Sequence, residues 1–188
     1  MNVAGASALA LLAGLYLPPW EGWLDPFPAH MLRHMGLVAC VAPLMVLAWP
    51  GVSRRLAVPV LLGAAVEFVI VWAWHLPQLH GFAQLNLGGR VLEQAAFLAA
   101  GLAVWAGALH VREPLVGAGG LFLTSMHMTL LGAILILAPG DLYAEICGRA
   151  PDLSGQQLGG ILMLSIGTPI YLVGALMLAA RVIGKEAT

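Results

Sequence analysis

His30 and His34 stand four residues apart in the run His30-Met31-Leu32-Arg33-His34-Met35, at the head of an apolar block. On a helix, residues at i and i+4 project from one face about 6 Å apart, so both imidazoles can reach one metal ion. Met31 and Met35 repeat the spacing on a stripe offset by ~100°. The run reads as half of a metal site at a membrane surface. It reads equally as two histidines wetted by lipid headgroups, with the methionines packed between helices.

A second element is Trp74-His75-Leu76-Pro77. Pro77 stops the helix, so His75 falls at nearly the depth of His30 and His34, where three imidazoles from two antiparallel helices can converge. Three nitrogen donors suit copper or zinc. Alternatively, His75 caps the last carbonyls of its helix, where a cation is favoured.

The third element is Ser125-Met126-His127-Met128-Thr129, inside a later apolar block. A mid-span histidine needs a partner. At 1.5 Å per residue, His127 lies about 16 Å and Glu67 about 13 Å from the outer edge. Glu67 can therefore hold His127 as a carboxylate behind a ligating imidazole. His127 could also ligate directly, or the two could form a buried pair with no metal. Thioether sulfur is soft and prefers Cu(I), so Met31, Met35, Met126 and Met128 beside the histidines place copper ahead of zinc. Methionine is also an ordinary filler of apolar bundles. The expected metal set is thus His30, His34, His75 and His127, with Glu67, the four methionines and His80 as weaker candidates. His80 lies in a short outer loop after Pro77, as a peripheral ligand or with no role, and His110 falls on the opposite side; Glu93 either faces the same site or pairs with Arg90 one turn earlier, the pairing being the one expected. No nucleophile elbow, phosphate-binding glycine loop or HExxH motif is present.

The elements that must position these groups are membrane helices. Of the 188 residues 61% are hydrophobic and 9% charged, against about a quarter charged in soluble domains; the mean hydropathy is +0.92. Apolar blocks of roughly 20 residues match a ~30 Å hydrocarbon layer, and they are too long and uniform for barrel strands. The fold class expected is an all-α polytopic transmembrane bundle, one membrane domain over 1–188, with six spans at about 2–18, 29–49, 56–76, 88–109, 118–138 and 156–180. Pro18-Pro19, Pro50-Gly51, Pro77, Pro114, Pro139-Gly140 and Pro151 punctuate them.

Arg54, Arg55, Arg112, Arg181 and Lys185 fall on one side and Arg33, Arg90 and Arg149 on the other. That bias places both termini in the cytoplasm. The 19–28 segment is expected to lie along the outer surface. Val3 to Leu17 lacks a basic n-region and Leu17-Pro18-Pro19 is a poor cleavage site, so a retained first span is expected rather than a signal peptide. Cys40 lies within a span and Cys147 in a loop, which gives no disulfide framework. A net charge of −1 argues against a nucleic-acid surface. Glycines 155, 159, 160, 167 and 174 in the last span fit close helix packing.

Taken in order, HMLRHM, WHLPQLH, LEQAAFLAAGL and SGQQLGGILM resemble the CtaG family over about residues 25–182. The resemblance implies a multi-helix membrane protein of a bacterial-type inner membrane. It implies a role in cytochrome c oxidase assembly and copper handling, with His30, His34 and His75 as the matching histidines. Gln94 stands where such members carry histidine, and six spans are read where seven are usual. The partners implied are the lipid bilayer, oxidase subunits or a periplasmic copper chaperone, and the role is that of an assembly factor more than a catalyst. The alternative is a redox enzyme with copper or haem at the same histidines; a bis-histidine haem would use His34 with His127.

Overall fold

The computed structural model describes residues 2–186; Met1, Ala187 and Thr188 of the expected domain lie outside the described residues. Eight helices follow in order: α1 (Val3–Tyr16), α2 (Pro26–Ala48), α3 (Pro50–Leu56), α4 (Val60–Trp74), α5 (Pro77–Leu85), α6 (Leu87–His110), α7 (Pro114–Leu137) and α8 (Leu153–Val182). Among the described residues there is no strand.

Proline sets most of the boundaries. Helices α2, α3, α5 and α7 open on Pro26, Pro50, Pro77 and Pro114, where a missing N–H costs nothing and the ring presets φ. That moves two starts earlier than the hydropathy blocks suggest. The second span begins at Pro26 instead of 29, because Pro26 and Pro28 both fit in a first turn. The fifth begins at Pro114 instead of 118. The stretch after Pro77, expected as a loop, is the nine-residue helix α5: the proline that ends one helix begins the next. Asn86 and Asp152 cap α6 and α8 by accepting from the Gly89 and Gly155 amides.

Among the described residues four helices are long and apolar enough to cross a membrane: α2, α6, α7 and α8. A fifth crossing arises if α3 and α4 count as one span, although they bend by 84° about the Ala57–Pro59 break. Helix α1 is apolar but has 14 residues, about 21 Å at 1.5 Å per residue.

Glycines bring the helices close. A Cβ on Gly160 would lie 2.7 Å from the Gly132 carbonyl oxygen, so α8 and α7 touch backbone to backbone. One on Gly159 would meet Phe27 and Met31, and one on Gly167 would meet Met35 Sδ at 2.9 Å. The methionine stripe of α2 therefore packs into the small-residue face of α8.

Two π-helical segments interrupt the spans, Gly36–Val41 in α2 and Met163–Gly167 in α8. Each is followed within two residues by a proline, Pro43 or Pro169. In the first, the Ala42 N–H bonds Leu37 O five residues back, and Pro43 has no N–H to offer. Val38 O is thereby freed, and it accepts from Trp105 Nε1 at 3.0 Å and from the Tyr171 hydroxyl at 3.1 Å.

Candidate metal centre

His30 and His34 lie in the first turns of α2, buried to 5% and 1% exposure, with ring centroids 4.1 Å apart. His75 caps α4 at nearly the same level, its ring centroid 6.0 Å from that of His34. His80 comes from α5, 5.2 Å from His30 by ring centroids and edge-on to it. Glu93, fully buried on α6, sits among them: its Oε1 is 3.1 Å from His30 Nε2 and its Oε2 is 3.4 Å from His34 Nε2. One ligand atom from each of His30, His80 and Glu93 lies within 4.8 Å of the other two. Tetrahedral ligands at about 2.1 Å from an ion are roughly 3.4 Å apart, so modest contraction closes the set.

The ring nitrogens are prepared unequally. His75 Nδ1 is 2.6 Å from Val71 O, a carbonyl that can only accept. The proton is therefore on Nδ1 and the lone pair on Nε2. That Nε2, His80 Nδ1 and both nitrogens of His34 are buried without a hydrogen-bond partner among the described residues. Buried polar atoms are normally satisfied, so a cluster of bare imidazole nitrogens around a carboxylate fits a cation. His80 lies outside the long spans; burial first, and then the neighbouring His30 and His75, push its proton affinity well below the usual range, leaving a neutral ring. His30 differs, because the Gln84 amide nitrogen lies 3.1 Å from its Nδ1. With that nitrogen accepting, His30 Nε2–H donates to Glu93.

The walls are aromatic. Phe97 stacks on His34 at 3.8 Å. Tyr143, from the loop before α8, packs 4.3 Å from His80 and donates to His75 O at 3.0 Å. That loop is held by Asp141, whose carboxylate accepts from the Tyr143, Ala144 and Asp152 amides and from Arg149. Burial alone would raise the Asp141 carboxyl, but these donors hold it below the usual range. A cavity of about 660 Å³ opens onto His30, lined by Tyr16, Glu21, Arg33, Gln84, Arg90 and Gln94 among others. Arg33 ion-pairs with Glu21 there and holds that carboxyl low.

Several expectations are corrected. Glu93 does not pair with Arg90, which donates instead to Gln84 O; it faces the histidines. Glu67 does not hold His127: its Oε1 is hydrogen-bonded to the Tyr171 oxygen, and both nitrogens of His127 are without a partner among the described residues. His127 is not in the His30–His80–Glu93 group, and its ring packs against Phe68, 5.4 Å away by centroids. Met31, Met35 and Met128 are fully buried in the helix core, and Met126 is half-exposed on the outer face of α7. Met31 and Met35 pack against Gly159 and Gly167 of α8. His110 lies at the far end of α6 and bonds Ser53 Oγ at 2.8 Å.

Sequence reasoning ranked His80 only as a weaker candidate and preferred Arg90 to the cluster as the partner of Glu93. The available signal for Glu93 was a lone acidic residue one and a half turns into a span; for His80 it was a proline able to open a new helix.

No curated protein and no solved structure matches the chain. The family model for the cytochrome c oxidase caa3 assembly factor matches residues 3–185, which takes in all the helices and every residue of the cluster. The protein therefore belongs to the cytochrome c oxidase caa3 assembly factor family, Caa3_CtaG.

Proposed function

We propose that this assembly factor binds copper in the His30–His34–His75–His80–Glu93 cluster and hands it on during oxidase maturation. The observation that carries the reading is the group of buried imidazole nitrogens without partners around Glu93. With the methionines turned away, the ligand set is imidazole and carboxylate. Among divalent first-row ions copper binds such donors most tightly, and the family's link to the oxidase supports the same choice. The ion is cargo. His30, at the floor of the outer cavity, meets it first. Glu93 balances its charge, and His75 contributes a nitrogen already bare.

In this reading α1 and the bent α3–α4 pair complete a six-span bundle with both termini cytoplasmic, supported by Arg54, Arg55, Arg112 and Arg181 lying on one side. The cluster then faces the outside of a bacterial inner membrane, where a periplasmic copper chaperone or an oxidase subunit can reach the cavity. The role is delivery, not catalysis.

Elemental analysis and an optical spectrum of the purified protein, before and after reconstitution with copper and zinc, test this. The expected result is stoichiometric copper that displaces zinc and is lost in His30→Ala and His75→Ala. Wild-type protein that retains no copper after reconstitution, or a Soret band in its spectrum, overturns it.

A further inference from the structure

His127 is the one membrane-embedded histidine that the cluster does not use. It is 9% exposed, and both ring nitrogens are buried without a partner among the described residues. It also lines a groove of about 740 Å³ between α4 and α7, with Leu61, Phe68, Leu123, Met126 and Leu130. Those five side chains are half-exposed and apolar, as befits a surface in contact with hydrocarbon.

Depth limits what can sit there. His127 is 13 residues from Pro114 and 10 from Leu137, roughly 20 and 15 Å at 1.5 Å per residue, so it lies near the bilayer middle. Phospholipid ester and phosphate oxygens lie outside the ~30 Å hydrocarbon layer, so an acyl chain in the groove brings the imidazole no partner. A neutral imidazole carries one donor and one acceptor, and in hydrocarbon no water supplies the missing bond. The occupant must be apolar overall and carry a hydrogen-bonding atom at this depth.

The neighbouring rings narrow the class. Phe68 meets His127 edge to face, and Trp72 lies one turn further along α4, its ring centroid 5.3 Å from that of Phe68. Trp72 Nε1 is likewise buried without a partner among the described residues. Two unused ring N–H donors thus flank one phenyl ring. We infer that the α4–α7 groove binds a membrane-dissolved quinone, a flat apolar ring with two opposed carbonyl oxygens. One carbonyl accepts from His127, the ring lies against Phe68, and Trp72 is the donor for the other carbonyl. The tail runs along the leucine-lined groove.

Decylubiquinone titrated into the full chain in quinone-free nanodiscs tests this, read by calorimetry and by quenching of tryptophan fluorescence. Wild type is expected to show one saturable site. His127→Phe keeps an apolar ring of similar size and removes the donor, so it should bind about tenfold more weakly, the equivalent of one hydrogen bond. Trp72→Phe should lose most of the quenching. His127→Phe should retain wild-type copper stoichiometry, which separates this site from the cluster. Absence of saturable binding in wild type, or equal affinity in His127→Phe, overturns the inference. So does loss of copper in that variant, or a change in its oligomeric mass, which would make the groove a contact between copies.

Discussion

Replacing Glu93 by glutamine removes the only negative charge in the cluster and little else, which makes it the sharpest probe of cation binding. The amide is isosteric, and its oxygen can still accept from His30 Nε2, 3.1 Å away in the wild type. Fold and packing should therefore survive. The affinity should not. At about 4 Å and an effective dielectric of 20, a carboxylate and a monovalent cation attract by about 4 kcal/mol. Against this, wild type gives up the charged His30–Glu93 hydrogen bond when the ion takes that nitrogen, roughly 2 kcal/mol. The net loss is about 2 kcal/mol for Cu(I), a Kd about thirtyfold weaker. For a divalent ion the Coulomb part doubles to about 8 kcal/mol, and the loss exceeds ten-thousandfold. Competition against a chromophoric copper chelator measures both, with thermal unfolding in detergent as the control on folding. A Glu93→Gln protein that folds normally and binds copper within threefold of wild type would refute the assignment of Glu93 as the charge partner.

Gln84 should act through His30. Gln84→Glu accepts a proton from Nδ1 and frees Nε2 for the ion, while Gln84→Leu leaves the tautomer unset. The same competition assay should show roughly tenfold tighter and tenfold weaker binding respectively. Gly160→Ala pushes a Cβ to 2.7 Å from Gly132 O, an overpacking of about 1–3 kcal/mol. Gly119→Ala meets nothing within 4 Å and should gain about 0.5–1 kcal/mol of helix stability; thermal midpoints of the two variants should move in opposite directions. The folded-state pKa of Asp141 is depressed, so its contribution to stability is present above the unfolded value of about 3.9 and is lost as pH falls through the lower folded value. Wild type should accordingly lose stability on acidification below about pH 4. Asp141→Asn should be less stable at pH 7 and show a flatter acid limb, with the two curves converging at low pH. Parallel curves at all pH values would remove Asp141 as the source.

The legible part of the site was the part carried by local spacing. His30 and His34 share a face because a helix repeats every 3.6 residues, and His75 sits at the same level because Pro77 fixes where α4 stops. Rotation about the helix axis was not legible. A count of residues gives the depth of His127 and of Glu67 but not where either side chain points. Glu67 turns to Tyr171 on α8, and His127 turns to Phe68 and the groove. The same freedom hid Glu93: a salt bridge to Arg90 satisfies the sequence equally well, and only the packing of α6 against α2 turns Glu93 inward and Arg90 outward. The methionines of α2 show the same limit. Their stripe is offset from that of His30 and His34, and the glycines of α8 offer it a groove. In the fold, helix identity survived nearly everywhere. The misplaced starts were those opened by proline, which hydropathy scores as a break although the first turn tolerates it.

The arrangement around Val38 explains how a cluster built from four helices can be held in place. Helix α2 donates His30 and His34, but an unbroken α-helix would spend every carbonyl below them on its own ladder. The π segment and Pro43 together leave Val38 O without a donor from its own helix, at a cost that other groups must offset. Trp105 of α6 and Tyr171 of α8 supply those bonds, and their rings stack 5.1 Å apart. One carbonyl, a single turn below His34, thus ties α2 to α6, which carries Glu93, and to α8. Tyr171 also reaches Glu67, bringing in α4, which ends at His75. The defect in one helix is what lets the others fix the register of every cluster residue except His80. That last imidazole is held from the other side, by Tyr143 and the Asp141 loop. Rigidity within the bundle and a tied loop at its end place the bare nitrogens within ångströms of one another, so in the proposed role little of an ion's binding energy would go into assembling the site.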